Sequence, residues 1–156
     1  MKVVYLSFGS NKGDRGQYLK KAIRFLAENS DITVVAQSRI HETEAWPEDS
    51  NQPDFLNQVI KIKTSLQPLE LLFICQQIEK KVGRTPSRHW GPREIDIDIL
   101  LYGDEVMDLP NLQIPHHYIH EREFVLIPLI EIEPELKDPI HGKLYSDFLT
   151  ALKNGS

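Results

Sequence analysis

The feature that most limits how this chain can fold is the order in which its two hydrophobic periods alternate. "VVYLSF" (Val3 to Phe8) is rich in β-branched and aromatic residues and reads as a strand. Beyond "GSNKGD", Asp14 suits a helix N-cap, and Leu19, Ala22, Ile23 and Leu26 then fall at i, i+3, i+4 and i+7. That spacing predicts a helix over about Arg15 to Glu28. "ITVVAQSRIHET" reads as a second strand and "FLNQVIKIKT" as a third. Between them "EAWPEDSNQPD" carries two prolines and many small polar residues, so it is a loop. Pro68 suits the first turn of a second helix, with Leu71, Ile74, Cys75, Ile78 and Val82 on its inner face and Gly83 as its stop. After the loop "RTPSRHWGPR", the segment "EIDIDILLYG" is a fourth strand. The order β-α-β-β-α-β is the split βαβ arrangement. The expectation is an α+β, ferredoxin-like βαββαβ sandwich with a mostly antiparallel sheet. Short strands, turns, a short helix and a terminal helix at "YSDFLTALKN" are expected as additional C-terminal elements.

The chain has 156 residues, which suits one domain spanning residues 1–156 with a single core. Its net charge of −5 argues against general adhesion to nucleic acid or to an anionic membrane. The one cysteine, Cys75, excludes an intramolecular disulfide and a cysteine-built zinc site. No stretch approaches the roughly 18 apolar residues of a membrane span. The N-terminal residues enter a strand pattern without signal-peptide features, so a cytoplasmic protein is expected.

Two aspartates interrupt the last strand. Along a strand, Asp96 and Asp98 point the same way, about 7 Å apart at Cα, while Ile95, Ile97 and Ile99 point into the core. Paired carboxylates repel, and a cation between them relieves that repulsion. Oxygen ligands of this kind suit Mg²⁺, which takes one or two protein carboxylates and completes its shell with water and phosphate oxygens. Alone, the pair fits a solvated sheet face equally well. Glu94 shares the face but lies at the strand mouth.

The neighbours favour the metal. Arg84, Arg88 and Arg93 crowd the loop feeding this strand, and His116 and Arg122 follow in "IPHHYIHEREF". Arginines offer bidentate donors to phosphate. Acids for metals and arginines for phosphate oxygens together suit a metal–nucleotide site. "FGSNKGDR" is not a phosphate loop of the G-x-x-x-x-G-K-[ST] kind. Gln76 and Glu79, three apart, are expected to share a polar helix face. Cys75, Phe55 and Phe124 read by default as core, whereas Trp90 in a loop suits the cover of a ligand.

"RHWGPREIDIDILLYG", with "GSNKGDR", "PDFLNQV", "QQIEKKVGR" and "IPHHYIHEREFVLIPLIEIEPEL", resembles the 6-hydroxymethyl-7,8-dihydropterin pyrophosphokinase family, in unbroken order from about Val3 to Leu136. The resemblance implies transfer of diphosphate from ATP to the pterin hydroxymethyl group in folate biosynthesis, releasing AMP. It implies that Asp96 and Asp98 hold two Mg²⁺ ions and that Arg84 and Arg93 act with them in catalysis. Arg84, Arg88, Arg93, His116 and Arg122 would contact phosphates or adenosine. Gln76, Glu79 and Trp90 would form the ATP side of the cleft, with the backbone of Ile99 near adenine. Phe55 and Phe124 would sandwich the pterin ring, Asn57 and the backbone near Thr43 would read its edge, and Asp96 would approach its hydroxymethyl end. The family analogy favours a monomer.

Two departures stand out. Glu44, Ala45 and Trp46 occupy a position where the family has Thr-Pro-Pro and then a small or branched apolar residue, and His117 stands where a tyrosine is common. Three rival readings remain. An RNA-binding ferredoxin-like module would need an aromatic-glycine run that is missing here. Another Mg²⁺-nucleotide transferase of the same fold would share the aspartates but release different products. A pseudoenzyme would be expected to lack an aspartate or arginine that this chain keeps.

Overall fold

A computed structural model of the chain describes residues 1–43, 54–83 and 94–155. Strand β1 (Lys2–Ser10) leads to α1 (Arg15–Glu28), β2 (Ile32–Gln37), β3 (His41–Thr43), β4 (Phe55–Thr64), α2 (Pro68–Val82) and β5 (Asp96–Tyr102). The expected βαββαβ order therefore holds, with neighbours arranged β2-β4-β1-β5 and β3 also on β4. Every one of these pairings is antiparallel. Beyond the sheet come a hairpin of β6 (Met107–Leu109) and β7 (Leu112–Ile114), then α3 (Glu123–Ile132) and α4 (Tyr145–Gly155).

Local chemistry sets the helix ends. Asp14 Oδ1 accepts from the Gln17 amide at 3.3 Å, which starts α1 where the sequence places it. Gly83 ends α2 at φ 119°, a backbone angle that side chains disfavour, and its N–H closes on the Glu79 carbonyl at 3.2 Å.

Two boundaries differ from expectation. The segment Ile32 to Thr43 is two strands, because Ser38 competes with the ladder. Its hydroxyl accepts from the Val59 amide at 2.9 Å, and its carbonyl accepts from Gln58 Nε2 at 2.8 Å. The last strand begins at Asp96 rather than at Glu94, and Glu94 is buried, 3.3 Å from Lys12 Nζ. That ion pair ties the turn after β1 to the mouth of β5.

The sheet has an apolar core on each face. Val4, Leu6, Phe8, Ile60, Ile62, Ile95, Ile97 and Ile99 pack under α1 and α2, against Leu19, Ala22, Leu26, Leu71, Cys75, Ile78 and Val82. Ile23 and Ile74 are only partly buried against this cluster. On the opposite face Tyr5, Val59, Leu100 and Leu101 pack against Val125, Leu126 and Leu129 of α3 and Tyr145 of α4. Full burial of a leucine such as Leu126 contributes about 1.5–3 kcal/mol. The α3 side thus covers one end of its sheet face and leaves the other end polar.

Candidate active site

Register decides what that polar end contains. His41 pairs with Asn57, Asn57 with Gly9, and Gly9 with Asp96, so these four form one cross-strand row. In the next row Val59 pairs with Ser7 and Ser7 with Asp98, and Thr43 pairs with Phe55 on the other side. Directly paired residues share a face. Phe55, Asn57, Gly9, Ser7, Asp96 and Asp98 therefore lie on one surface. Adjacent strands are about 4.8 Å apart, which puts Asn57 and Asp96 roughly 10 Å apart across Gly9.

Gly9 keeps that span open. An ideal Cβ there would stand 3.3 Å from Phe55 Cδ1 and 3.4 Å from Asn57 Oδ1. The buried Asn57 donates from Nδ2 to Thr43 Oγ1 at 2.6 Å, which fixes the plane of its amide. The hydroxyl of Thr43, a residue whose backbone the resemblance puts at the pterin edge, thus orients that amide.

Asp96 and Asp98 are both half-buried, while Ile95, Ile97 and Ile99 are buried in the opposite core, as alternation predicts. His116 Nε2 lies 3.9 Å from Asp98 Oδ1. The His116 backbone amide donates to the Leu100 carbonyl at 2.9 Å, so the loop after β7 is anchored on the free edge of β5. Its Nδ1 accepts from the Tyr118 amide at 3.3 Å, which leaves the proton of a neutral ring on Nε2. Burial first, then Arg122 and His117, lowers the His116 pKa to about 4, against an opposing pull from Asp96. His116 is thus neutral near pH 7. Burial lowers the Arg122 pKa from its ordinary value, and Asp98 and Asp96 oppose that shift most. Its guanidinium lies 4.6 Å from the Tyr118 ring centroid and 5.5 Å from that of Phe124.

Along the outer edge of β5 runs a cavity of about 290 Å³, lined by Leu72, Ile97, Asp98, Ile99, Leu112 and His116 among others. It contains the expected Ile99 and His116 and opens onto Asp98. From α2 it receives Leu72, whereas Gln76 is exposed and Glu79 is buried. The expected shared polar face of Gln76 and Glu79 is therefore corrected: the Glu79 carboxylate turns inward and accepts from the Ile97 amide at 2.9 Å. Arg84, Arg88, Trp90 and Arg93, and likewise Glu44, Ala45 and Trp46, lie outside the described residues.

The match to known proteins follows this geometry. Residues 5–134 match the family model described as 7,8-dihydro-6-hydroxymethylpterin-pyrophosphokinase. The chain belongs to that family. A 2-amino-4-hydroxy-6-hydroxymethyldihydropteridine pyrophosphokinase from Aquifex aeolicus is 49% identical over 148 residues, covering 95% of this chain and 91% of that protein. One from Bacillus subtilis is 45% identical over 130 residues, covering 83% and 77%. A Plasmodium falciparum HPPK-DHPS crystal structure with pteroate aligns with a TM-score of 0.75 at 16% identity, over 96% of this chain and 44% of that one. At that identity it supports the fold alone.

Sequence reasoning about this pyrophosphokinase did not single out Gly9, which the structure places in this row, or Leu72 and Leu112, which line the cavity. A glycine inside a strand was the available signal for Gly9. Leu72 and Leu112 carried none, because the cavity forms only when α2 and the β6–β7 hairpin meet β5. Among the described residues, no helix is long and apolar enough to cross a membrane.

Proposed function

We propose that this chain's ATP-dependent pyrophosphokinase reaction, which serves folate synthesis, takes place at the polar end of the sheet face. The observation that carries the reading is the row Asn57–Gly9–Asp96 with Asp98 beside it. A flat pterin ring would lie over Gly9, flanked by Phe55 and Phe124, with its edge on the fixed Asn57 amide. Its hydroxymethyl group would then reach Asp96. ATP would occupy the cavity along β5, with adenine near Ile99 and the phosphates between Asp98, His116 and Arg122.

The donor set fits a hard divalent cation: two half-buried carboxylates on one surface, with a guanidinium and a neutral imidazole close by. Asp96 and Asp98 would hold two Mg²⁺ ions, which when bound neutralise phosphate charge and make the hydroxymethyl proton more acidic. Arg122 would bind phosphate oxygens and stabilise charge on the transferred group. Neutral His116 would donate from Nε2 to a phosphate oxygen without adding a charge beside Asp98. The hydroxymethyl oxygen forms a bond to the β-phosphorus, the bond to the α-phosphate oxygen breaks, AMP departs, and the hydroxyl proton passes to solvent. No protein nucleophile is needed, so the residues mainly position and neutralise.

The roles of Arg84, Arg88, Arg93, Trp90 and Gln76 toward ATP rest on the family resemblance. We further propose that residues 1–156 act as one catalytic unit, as a monomer in the cytoplasm, without nucleic acid. Product analysis after incubation with ATP, Mg²⁺ and 6-hydroxymethyl-7,8-dihydropterin tests the reaction. Equal amounts of AMP and pterin diphosphate are expected. ADP would mean a simple kinase, and pyrophosphate with an adenylylated acceptor would mean a nucleotidyltransferase of the same fold.

A further inference from the structure

We infer that Glu79 is a positioning residue for the aspartate pair, acting through the backbone of β5 rather than by touching nucleotide. This rests on the reading of Asp96 and Asp98 as metal ligands. Strand β5 lies at the edge of the sheet, with β1 on one side only. An edge strand presents N–H groups outward, and these need partners when covered. The Ile97 amide lies between the two aspartates in sequence and donates to Glu79 Oε2 at 2.9 Å. One carboxylate from α2 thus holds the peptide that sets the relative placement of Asp96 and Asp98.

Glu79 is itself well held. Its residue exposure is 6%, and a buried carboxylate is tolerated only when bonded. Its carbonyl receives the Gly83 amide that closes α2. It stands one turn from Cys75, whose thiol is pushed up by burial and then by the charges of Glu79 and Asp98. Partners that orient metal ligands directly cost about 10–100-fold in metal affinity when lost, and Glu79 acts on the same ligands through the peptide between them.

The test compares Glu79→Ala with Glu79→Gln, whose amide oxygen keeps the acceptor but loses the charge. Two quantities are read by amide NMR. One is the exchange rate of the Ile97 amide in the free protein. The other is the half-saturating Mg²⁺, from MgCl₂ titration of protein saturated with a non-hydrolysable ATP analogue. In Glu79→Ala the Ile97 amide should exchange on the order of tenfold faster or more. Half-saturating Mg²⁺ should rise about 10–100-fold. Glu79→Gln should restore both. Unchanged Ile97 exchange, an unmoved Mg²⁺ midpoint, or a Glu79→Gln protein that behaves like Glu79→Ala would each overturn the inference. Asp98→Asn is the control for the underlying reading: an unaltered Mg²⁺ midpoint there would sink the metal assignment, and this inference with it.

Discussion

Replacing Gly9 by alanine separates the proposed pterin end of the site from the proposed nucleotide end. The added Cβ would meet Phe55 Cδ1 at 3.3 Å, Phe55 Cε1 at 3.5 Å and Asn57 Oδ1 at 3.4 Å. Carbon contacts prefer about 3.5–4.0 Å, so something must give by a few tenths of an ångström. Asn57 is the stiffer neighbour, being buried and bonded to Thr43 Oγ1 at 2.6 Å. The half-buried Phe55 ring therefore moves, into the space where a flat substrate would stack. Overpacking of this kind costs about 1–3 kcal/mol. If that cost falls on the bound state, the pterin dissociation constant rises about 5- to 150-fold. Calorimetric titration with 6-hydroxymethyl-7,8-dihydropterin, in the presence of a non-hydrolysable ATP analogue, measures it directly. Affinity for the ATP analogue should change less than about twofold, because the cavity lies on the far edge of β5. Gly16→Ala is the control, since a Cβ there meets nothing within 4 Å. Pterin affinity unchanged in a folded Gly9→Ala protein, or equal losses of pterin and nucleotide affinity, would refute the assignment of this row to the pterin.

Other perturbations separate chemistry from stability. Asp96→Asn and Asp98→Asn should each reduce turnover by about 10³-fold or more, since the charge stabilisation at stake is several kcal/mol. Stopped-time AMP formation reads this, and a loss below tenfold in both would count against the metal role. Leu126→Ala should cost about 2–5 kcal/mol in urea unfolding, because Leu126 is 0% exposed beneath the sheet. A cost under 1 kcal/mol would mean that α3 does not close this core. Glu133 accepts from Lys61 Nζ at 2.6 Å and from Tyr5 Oη at 2.9 Å, and these bonds hold its carboxylate below the ordinary range, Lys61 first. The unfolded chain therefore takes up this proton more readily. The contribution is fully present above the ordinary pKa of 4.5 and is lost as pH falls through the lower folded value. Denaturation from pH 6 to 3 should fall less steeply in Glu133→Gln, and parallel curves would rule the linkage out.

What could be read from the chain was what depends on neighbours in sequence. The stripe Leu19–Ala22–Leu26, the Asp14 cap and the Gly83 stop are local events, and each falls where its spacing puts it. Alternation alone sends Asp96 and Asp98 to one face and three isoleucines to the other. Register is different, because it is set by pairing between distant strands. Nothing in "SFGSN" says that Gly9 will stand between Asn57 and Asp96. Ser38 reads as a strand residue until the Val59 amide stands beside it and donates to its hydroxyl oxygen. Glu79 reads as solvated because a three-residue spacing to Gln76 reports the helix surface and not what the adjoining strand edge covers.

The sheet's free edge explains why core and site can share one strand. Leu6 pairs with Ile99 but Tyr5 pairs with Leu101, so Leu100 is an extra residue in β5. A bulge of this kind breaks the alternation. Leu100 and Leu101, adjacent in sequence, are consequently both buried under α3. In strict alternation Leu100 would follow Asp96 and Asp98 and turn its carbonyl toward β1. The shift turns that carbonyl outward, where it accepts the His116 amide. Two outward groups of β5 are then occupied: the Ile97 N–H by Glu79 of α2 and the Leu100 carbonyl by His116 of the following loop. Both are then unavailable for pairing with another chain. The same two contacts bracket Asp98, so its carboxylate is held by backbone fixed on both sides and His116 is delivered next to it. Covering these edge groups and fixing the backbone around Asp98 are one structural solution, in an apolar strand that carries two acids at its open end.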